Sequence, residues 1–207
     1  MSRFIESIQI KDGKVFLLDL HQKRVNQTFL HFGRPQMLNL TELFLALPCL
    51  EKGLYKWRIA YDLQGNVQSQ ILPYTLPNLK NFALVVNDEI SYPYKNEDRT
   101  LLNEIKTQCP AQEAIIVKNG TVTDTTFSNL IFLKKQTWFT PASFLLNGVQ
   151  RQHLLNTNKI KEEEITLDNI NEFSHFQIIN SMNGLNPSSI YPLEAIMNLP
   201  GFRQQIV

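Results

Sequence analysis

Cysteine is scarce: Cys49 and Cys109 lie far apart and outside any CxxC pattern. That excludes a disulfide scaffold and a cysteine-held zinc site, and leaves two ordinary thiols. The four histidines, His21, His31, His153 and His175, show no metal-ligand spacing, so no metal is expected. No run of one charge sign occurs, and 20 Lys and Arg against 19 Asp and Glu leave a net charge of +1. Nucleic acid and anionic membrane surfaces are therefore poor partners. No apolar run approaches the ~20 residues of a bilayer span, and MSRFIESIQI lacks the apolar stretch of a signal peptide. A cytoplasmic protein that neither spans nor coats a membrane is expected. There is no internal repeat and no low-complexity segment.

What is present is a length of 207 residues, enough to bury a proper core in one large domain or two small ones. The most informative stretch is 113–151. Runs rich in β-branched and aromatic residues, Glu113 to Val117, Thr121 to Thr125 and Asn129 to Leu133, are separated by Asn119-Gly120 and Phe127-Ser128, with Trp138 to Thr140 following. This predicts an antiparallel meander, because Asn-Gly favours the left-handed φ values of a tight hairpin turn. The meander ends at Thr140-Pro141, and a loop leads to Gly148-Val149-Gln150-Arg151, where a helix opens. Free N–H groups at such a start suit an anion.

Upstream, Asp12-Gly13 predicts a hairpin between Phe4 to Ile10 and Lys14 to Leu18. A helix follows, N-capped by Asp19, with Val25, Phe29 and Phe32 on its apolar side and Gly33 at its end. A short helix opens at Thr41-Glu42, and a second hairpin joins Leu54 to Tyr61 with Asn66 to Ile71. Prolines 73 and 77 punctuate the passage to the next strand, Asn81 to Val86, so a small lobe over 1–80 and a larger one over 81–207 are expected. Asp98 is placed to cap a helix from Arg99 to Thr107. Beyond the meander, Lys159 to Ile165 predicts an exposed edge strand, Leu167 to Phe173 a short helix, and His175 to Ile179 an apolar strand.

The order Gly120-Thr-Val-Thr-Asp124, Ser128-Asn129, Thr140-Pro141 and Gly148-Val149-Gln150-Arg151, with His21-Gln-Lys-Arg24 on the first helix, resembles the class IV aminotransferases. These are fold type IV enzymes that use pyridoxal 5'-phosphate. The resemblance covers about residues 4 to 185. It implies an α+β, two-lobe fold, with a small N-terminal α/β lobe and a larger lobe built on an antiparallel-rich sheet or barrel. It also implies a homodimer. Lys95, ahead of the helix at Arg99, corresponds to the catalytic lysine that forms the Schiff base. Asp124 stands where the family has a glutamate against the pyridine nitrogen, with the same charge on a shorter arm. Arg24, the N–H groups of Val149 and Gln150, and Ser181 correspond to the phosphate contacts, with Arg24 able to fork onto two oxygens. Taken alone, Arg24 reads as a solvated helix charge and Lys95 as a lysine in a polar turn. Arg58 and Asn183 are candidate contacts for a small-molecule amine substrate, although a strand arginine such as Arg58 is as readily a surface residue.

Within the family, Asn180-Ser181-Met182 looks most like 4-amino-4-deoxychorismate lyase, which releases pyruvate and p-aminobenzoate for folate synthesis. Three further features tilt the same way: the chain starts almost at the first family strand, Ile5 stands where transaminases place an aromatic residue, and no R-x-H follows Tyr61. The alternatives are an aminotransferase acting on branched-chain or D-amino acids, and an inactive relative serving as a binding module.

Overall fold

The structure, a computed structural model, describes residues 3–200 as two compact units, one made of 3–76 with 92–98 and the other of 77–91 with 99–200. The first unit starts with β1 (Arg3–Lys11), which turns through Asp12 and Gly13 into the two-residue β2 (Lys14–Val15). Asp12 at φ 50° and Gly13 at φ 77° give the expected left-handed pair. β3 (Leu54–Asp62) pairs antiparallel with β1 along its whole length, and β4 (Val67–Pro73) pairs with β3, giving the order β2-β1-β3-β4.

Helix α1 (Leu18–His31) buries His21, Arg24, Val25, Thr28 and Phe29, the spacing of a single helical stripe. Its N-cap is Leu17, not Asp19. Leu17 adopts φ 54°, so the chain leaves the hairpin by a left-handed residue and Asp19 falls inside the first turn, where its charge suits the helix dipole. The stripe meets a core of Phe4, Ile8, Ile10, Trp57, Ile59 and Tyr61, to which the short α2 (Leu40–Leu45) is added. Burying each large side chain contributes roughly 1.5–3 kcal/mol. On β1, the alternation that turns Phe4, Ile8 and Ile10 inward also turns Glu6 inward, fully buried. The segment Tyr92–Asp98 belongs to this unit: Ile5 N donates to Lys95 O at 2.8 Å, and Glu97 N to Arg3 O at 2.8 Å.

The second unit contains β5 (Phe82–Val86), α3 (Thr100–Gln108), β6 (Glu113–Lys118), β7 (Thr121–Thr125), β8 (Asn129–Lys134), β9 (Thr137–Pro141), α4 (Val149–Asn156), β10 (Lys161–Glu163), β11 (His175–Ile179) and β12 (Tyr191–Pro192). β6 to β9 form the antiparallel meander, with Asn119 and Gly120 at φ 50° and 76°. β5 joins β6 and β10 joins β9 in parallel, while β11 pairs with β8 and β12. The fold is mixed α+β and sheet-rich, and no barrel closes among the described residues. Its core includes Phe82, Ile115, Leu130, Phe132, Phe176 and Ile178. α3 is N-capped by Arg99 without a side-chain bond, where Asp98 had been expected to cap it. The expected helix at Leu167 to Phe173 is only a 3-10 turn at Ile170–Glu172, because the Asn169 side chain is taken by Thr166 N and Glu164 O. No helix among the described residues is long and apolar enough to cross a membrane, and no cluster of potential metal ligands occurs there.

Candidate active site

β7 and β8 are paired through one position, Asp124 opposite Asn129. Asn129 Nδ2 donates to Asp124 Oδ1 at 2.7 Å and to Leu146 O at 2.8 Å. Asp124 Oδ2 accepts from Leu145 N and Leu146 N, both at 2.9 Å. Burial pushes the Asp124 carboxyl up to about 6, against the opposing pull of these donors and of the Arg151 charge. This is a carboxylate provided with hydrogen bonds but short of compensating positive charge.

The turn after β7 is held by Glu113, fully buried on β6. Its carboxylate accepts from Thr126 N at 3.0 Å, from Thr126 Oγ1 at 2.5 Å and from Lys106 Nζ, and Thr126 O accepts from Arg99 Nη2 at 2.7 Å. Ser128 Oγ accepts from Asn180 Nδ2 at 2.8 Å, which links this turn to the one that follows β11.

That second turn, Asn180 to Asn183, closes by reciprocal main-chain bonds and by Asn180 Oδ1, which accepts from Met182 N at 2.8 Å and Asn183 N at 3.0 Å. Ser181 sits at its tip. Asn183, a proposed substrate contact, commits Nδ2 to Ile178 O at 2.9 Å. Beside the turn, a Cβ at Gly184 would stand 3.2 Å from Gln150 Nε2, so the turn lies against the start of α4. Val149 and Gln150 are the first residues of that helix, and Gly148 gives it no side-chain cap. Their N–H groups have no acceptor within the helix and remain available to an anion. Gly148 is required here: a Cβ would come within 2.0 Å of Asn129 Oδ1.

Asp124, Val149, Gln150, Ser181 and Asn183 thus converge within the second unit, whereas Arg24, Arg58 and Lys95 belong to the first. There, Arg24 donates Nε to Glu6 Oε1 at 2.8 Å and Nη2 to Glu6 Oε2, and His21 Nδ1 lies 2.5 Å from Glu6 Oε2. Burial alone would push the Glu6 carboxyl up, yet Arg24 and His21 hold it down, to about 2. Breaking such a buried pair costs about 3–5 kcal/mol, so Arg24 stays with Glu6. The pair with Glu6 uses the Nε hydrogen and one Nη2 hydrogen, so Arg24 keeps the end-on edge of its guanidinium, Nη1 with the second Nη2 hydrogen. His21 Nε2 is buried with no acceptor or donor among the described residues, while the nearby Lys95 charge and burial both disfavour an imidazolium. Arg58 donates Nη2 to Glu97 at 2.6 Å, and Glu97 also pairs with Arg3. Lys95 is half-buried and anchored to β1 through its carbonyl.

From the sequence, Glu6 and Glu113 receive no role, and Asn129 enters only as part of the Ser128-Asn129 motif, without a role. For Glu6 a signal existed, since His21 and Arg24 are three apart on one helix face and need a common acceptor when buried. For Glu113, a carboxylate opening an apolar strand, the sequence carries none.

The amino-transferase class IV family model matches residues 100–190. An uncharacterized protein of Haemophilus influenzae is 36% identical over 189 residues, 89% of this chain and 100% of its own length. The crystal structure of a provisionally named 4-amino-4-deoxychorismate lyase from Haemophilus somnus is similar at 33% identity and TM-score 0.84, covering 89% of this chain and 98% of that one. At 16% identity and TM-score 0.67, an aminotransferase from Brucella abortus bound to the cofactor PLP shares the fold, with 92% of this chain and 79% of that one covered. The donor set in the second unit fits such a cofactor: a buried carboxylate that pairs with no cation among the described residues, and main-chain N–H groups at a helix start with no acceptor within the helix.

Proposed function

Because the chain belongs to the class IV aminotransferase family, we propose that it is a pyridoxal-phosphate-dependent enzyme, and specifically a 4-amino-4-deoxychorismate lyase that releases pyruvate and p-aminobenzoate. The observation that carries the reading is the convergence of Asp124, the α4 start and the Ser181 turn in one unit, combined with the likeness to the Haemophilus somnus structure. When bound, pyridoxal phosphate supplies an electron sink for the bond that breaks in the substrate.

The residues divide the remaining work. Lys95 would hold the cofactor through Nζ and, once the substrate amine has taken its place, would take and return a proton at that atom. Asp124 would pair with the ring nitrogen of the cofactor, where its negative charge would meet a positive partner. Val149 and Gln150 would give main-chain N–H groups to the phosphate, Ser181 a hydroxyl, and Arg24 the Nη1 and Nη2 edge that Glu6 leaves uncommitted. Asn183 and Arg58 stand as substrate contacts only by changing their present partners. A homodimer in the cytoplasm, serving folate synthesis, completes the proposal.

The test is direct. Purified protein loaded with pyridoxal phosphate is supplied with aminodeoxychorismate, and pyruvate and p-aminobenzoate are measured in equal amounts. Lys95→Ala is expected to lower the rate at least ~10³-fold. Absence of both products from loaded protein, with pyridoxamine phosphate formed from branched-chain or D-amino acids in a single turnover, would replace the lyase by an aminotransferase.

A further inference from the structure

Residues 142–148 carry no helix or strand, yet two of their amides grip Asp124. What shapes this loop is Arg151, the third residue of α4, whose side chain is 3% exposed. Nη2 donates to Pro141 O at 3.1 Å, where the loop leaves β9, and to Glu162 Oε1 at 2.5 Å on β10. Nη1 donates to Asn147 Oδ1 at 3.3 Å, where the loop enters the helix. The guanidinium carbon Cζ lies over the Phe144 ring, 4.5 Å from its centroid, midway along the loop. One side chain therefore touches the start, middle and end of the segment, and the two motif pieces Thr140-Pro141 and Gly148-x-x-Arg151 meet on it. Leu145 and Leu146, next to Phe144, are left with their N–H groups directed at Asp124 Oδ2. Lysine offers neither the fork nor the stacking plane that this requires.

We propose that Arg151 is a positioning residue for Asp124: it folds residues 142–147 into a double N–H donor that fixes the carboxylate, while setting the helix start at Val149 and Gln150. The significance of this for the cofactor rests on the function proposed above. The loop mechanism itself does not, because it acts in the protein without ligand. Arg151 is the charged group that acts on Asp124 among the described residues; the other groups around it, Asn129 on β8 and the two loop amides, are neutral. Burial is the largest influence on the carboxyl, so a released loop that admits water returns it toward its ordinary value.

The experiment uses full-length protein without ligand, ¹³Cγ-aspartate NMR titration with Asp124→Asn for assignment, and hydrogen exchange at Leu145 and Leu146. Arg151→Met and Arg151→Lys are expected alike to abolish protection of both amides and to move the Asp124 midpoint down by at least about one pH unit. A midpoint that stays near 6 with both amides still protected overturns the proposal. So does an Arg151→Lys protein that behaves as the original, or a midpoint that rises while both amides stay protected, since either shows that charge alone is at work. Should Arg151→Met fail to fold, Phe144→Ala supplies the same readouts with the charge in place, and unchanged protection there is again an overturning result. Failure of the functional reading appears separately, as absence of the lyase products with the loop result intact.

Discussion

Two buried carboxylates, Glu6 and Asp124, answer to pH in opposite senses. Asp124 is raised from 3.8 to about 6 in the fold, so its contribution is fully present below about 3.8 and is lost as pH rises through 6. Ionising it in place costs on the order of 3 kcal/mol at neutral pH. Glu6 is lowered from 4.5 to about 2, so its contribution is present above about 4.5 and is lost as pH falls through 2. That loss is also on the order of 3 kcal/mol. In urea unfolding without cofactor, stability from these two groups is therefore greatest near pH 4 to 5. Asp124→Asn is expected to remove the decline between pH 4 and 7 and leave the acid limb untouched. If the variant declines as steeply as the parent over that interval, Asp124 is not the group responsible.

At the scale of elements, the crossing of β7, β8 and α4 turns on Gly148. A methyl group there would stand 2.0 Å from Asn129 Oδ1, so Gly148→Ala must displace either the asparagine or the helix start. Displacing Asn129 releases both Asp124 Oδ1 and Leu146 O. A loss of about 1–3 kcal/mol in urea unfolding is expected, and Asn129→Ala made in the same protein should absorb part of it, since the clash then has no partner. The same crossing shows what the chain discloses and what it withholds. Local signals were legible: Asn119-Gly120 and Asp12-Gly13 adopt the turns their residue types favour, and the meander from Glu113 to Pro141 follows the β-branched runs. The start of α1 was not, because Leu17 at φ 54° is a conformation leucine rarely takes. Nor was the role of Glu162 to Glu164. The run reads as a solvated edge, but Glu162 is the partner of Arg151, a relation fixed only when β10 aligns in parallel with β9. For the site, the ordered motif pieces mark which residues to examine, while the pairing of Arg24 with Glu6 follows only once α1 is known to turn His21 and Arg24 inward onto β1.

For the whole molecule, the proposed cofactor and the proton compete for one charge. In the ligand-free fold Asp124 is half-protonated at about pH 6, and a ring N–H⁺ set against it must find it ionised. Binding therefore releases a proton below that pH and none above it, so affinity for pyridoxal phosphate should weaken as pH falls, by up to about tenfold per unit from this group. The phosphate and ring titrate as well, and Asp124→Asn separates them: its affinity should be weaker at pH 8, with a shallower slope below 6. The same linkage sets the thermal response. At a hundredfold excess over Kd the ligand adds about 2.7 kcal/mol, which for a chain of 207 residues raises Tm by roughly 5–11 °C. The rise should be larger at pH 8 than at pH 5 for the parent and similar at both for Asp124→Asn, once the ligand concentration is scaled to each Kd at pH 8. Equal pH slopes for parent and variant would remove Asp124 from the ring nitrogen and leave the buried carboxylate as an anchor for the 142–148 loop alone.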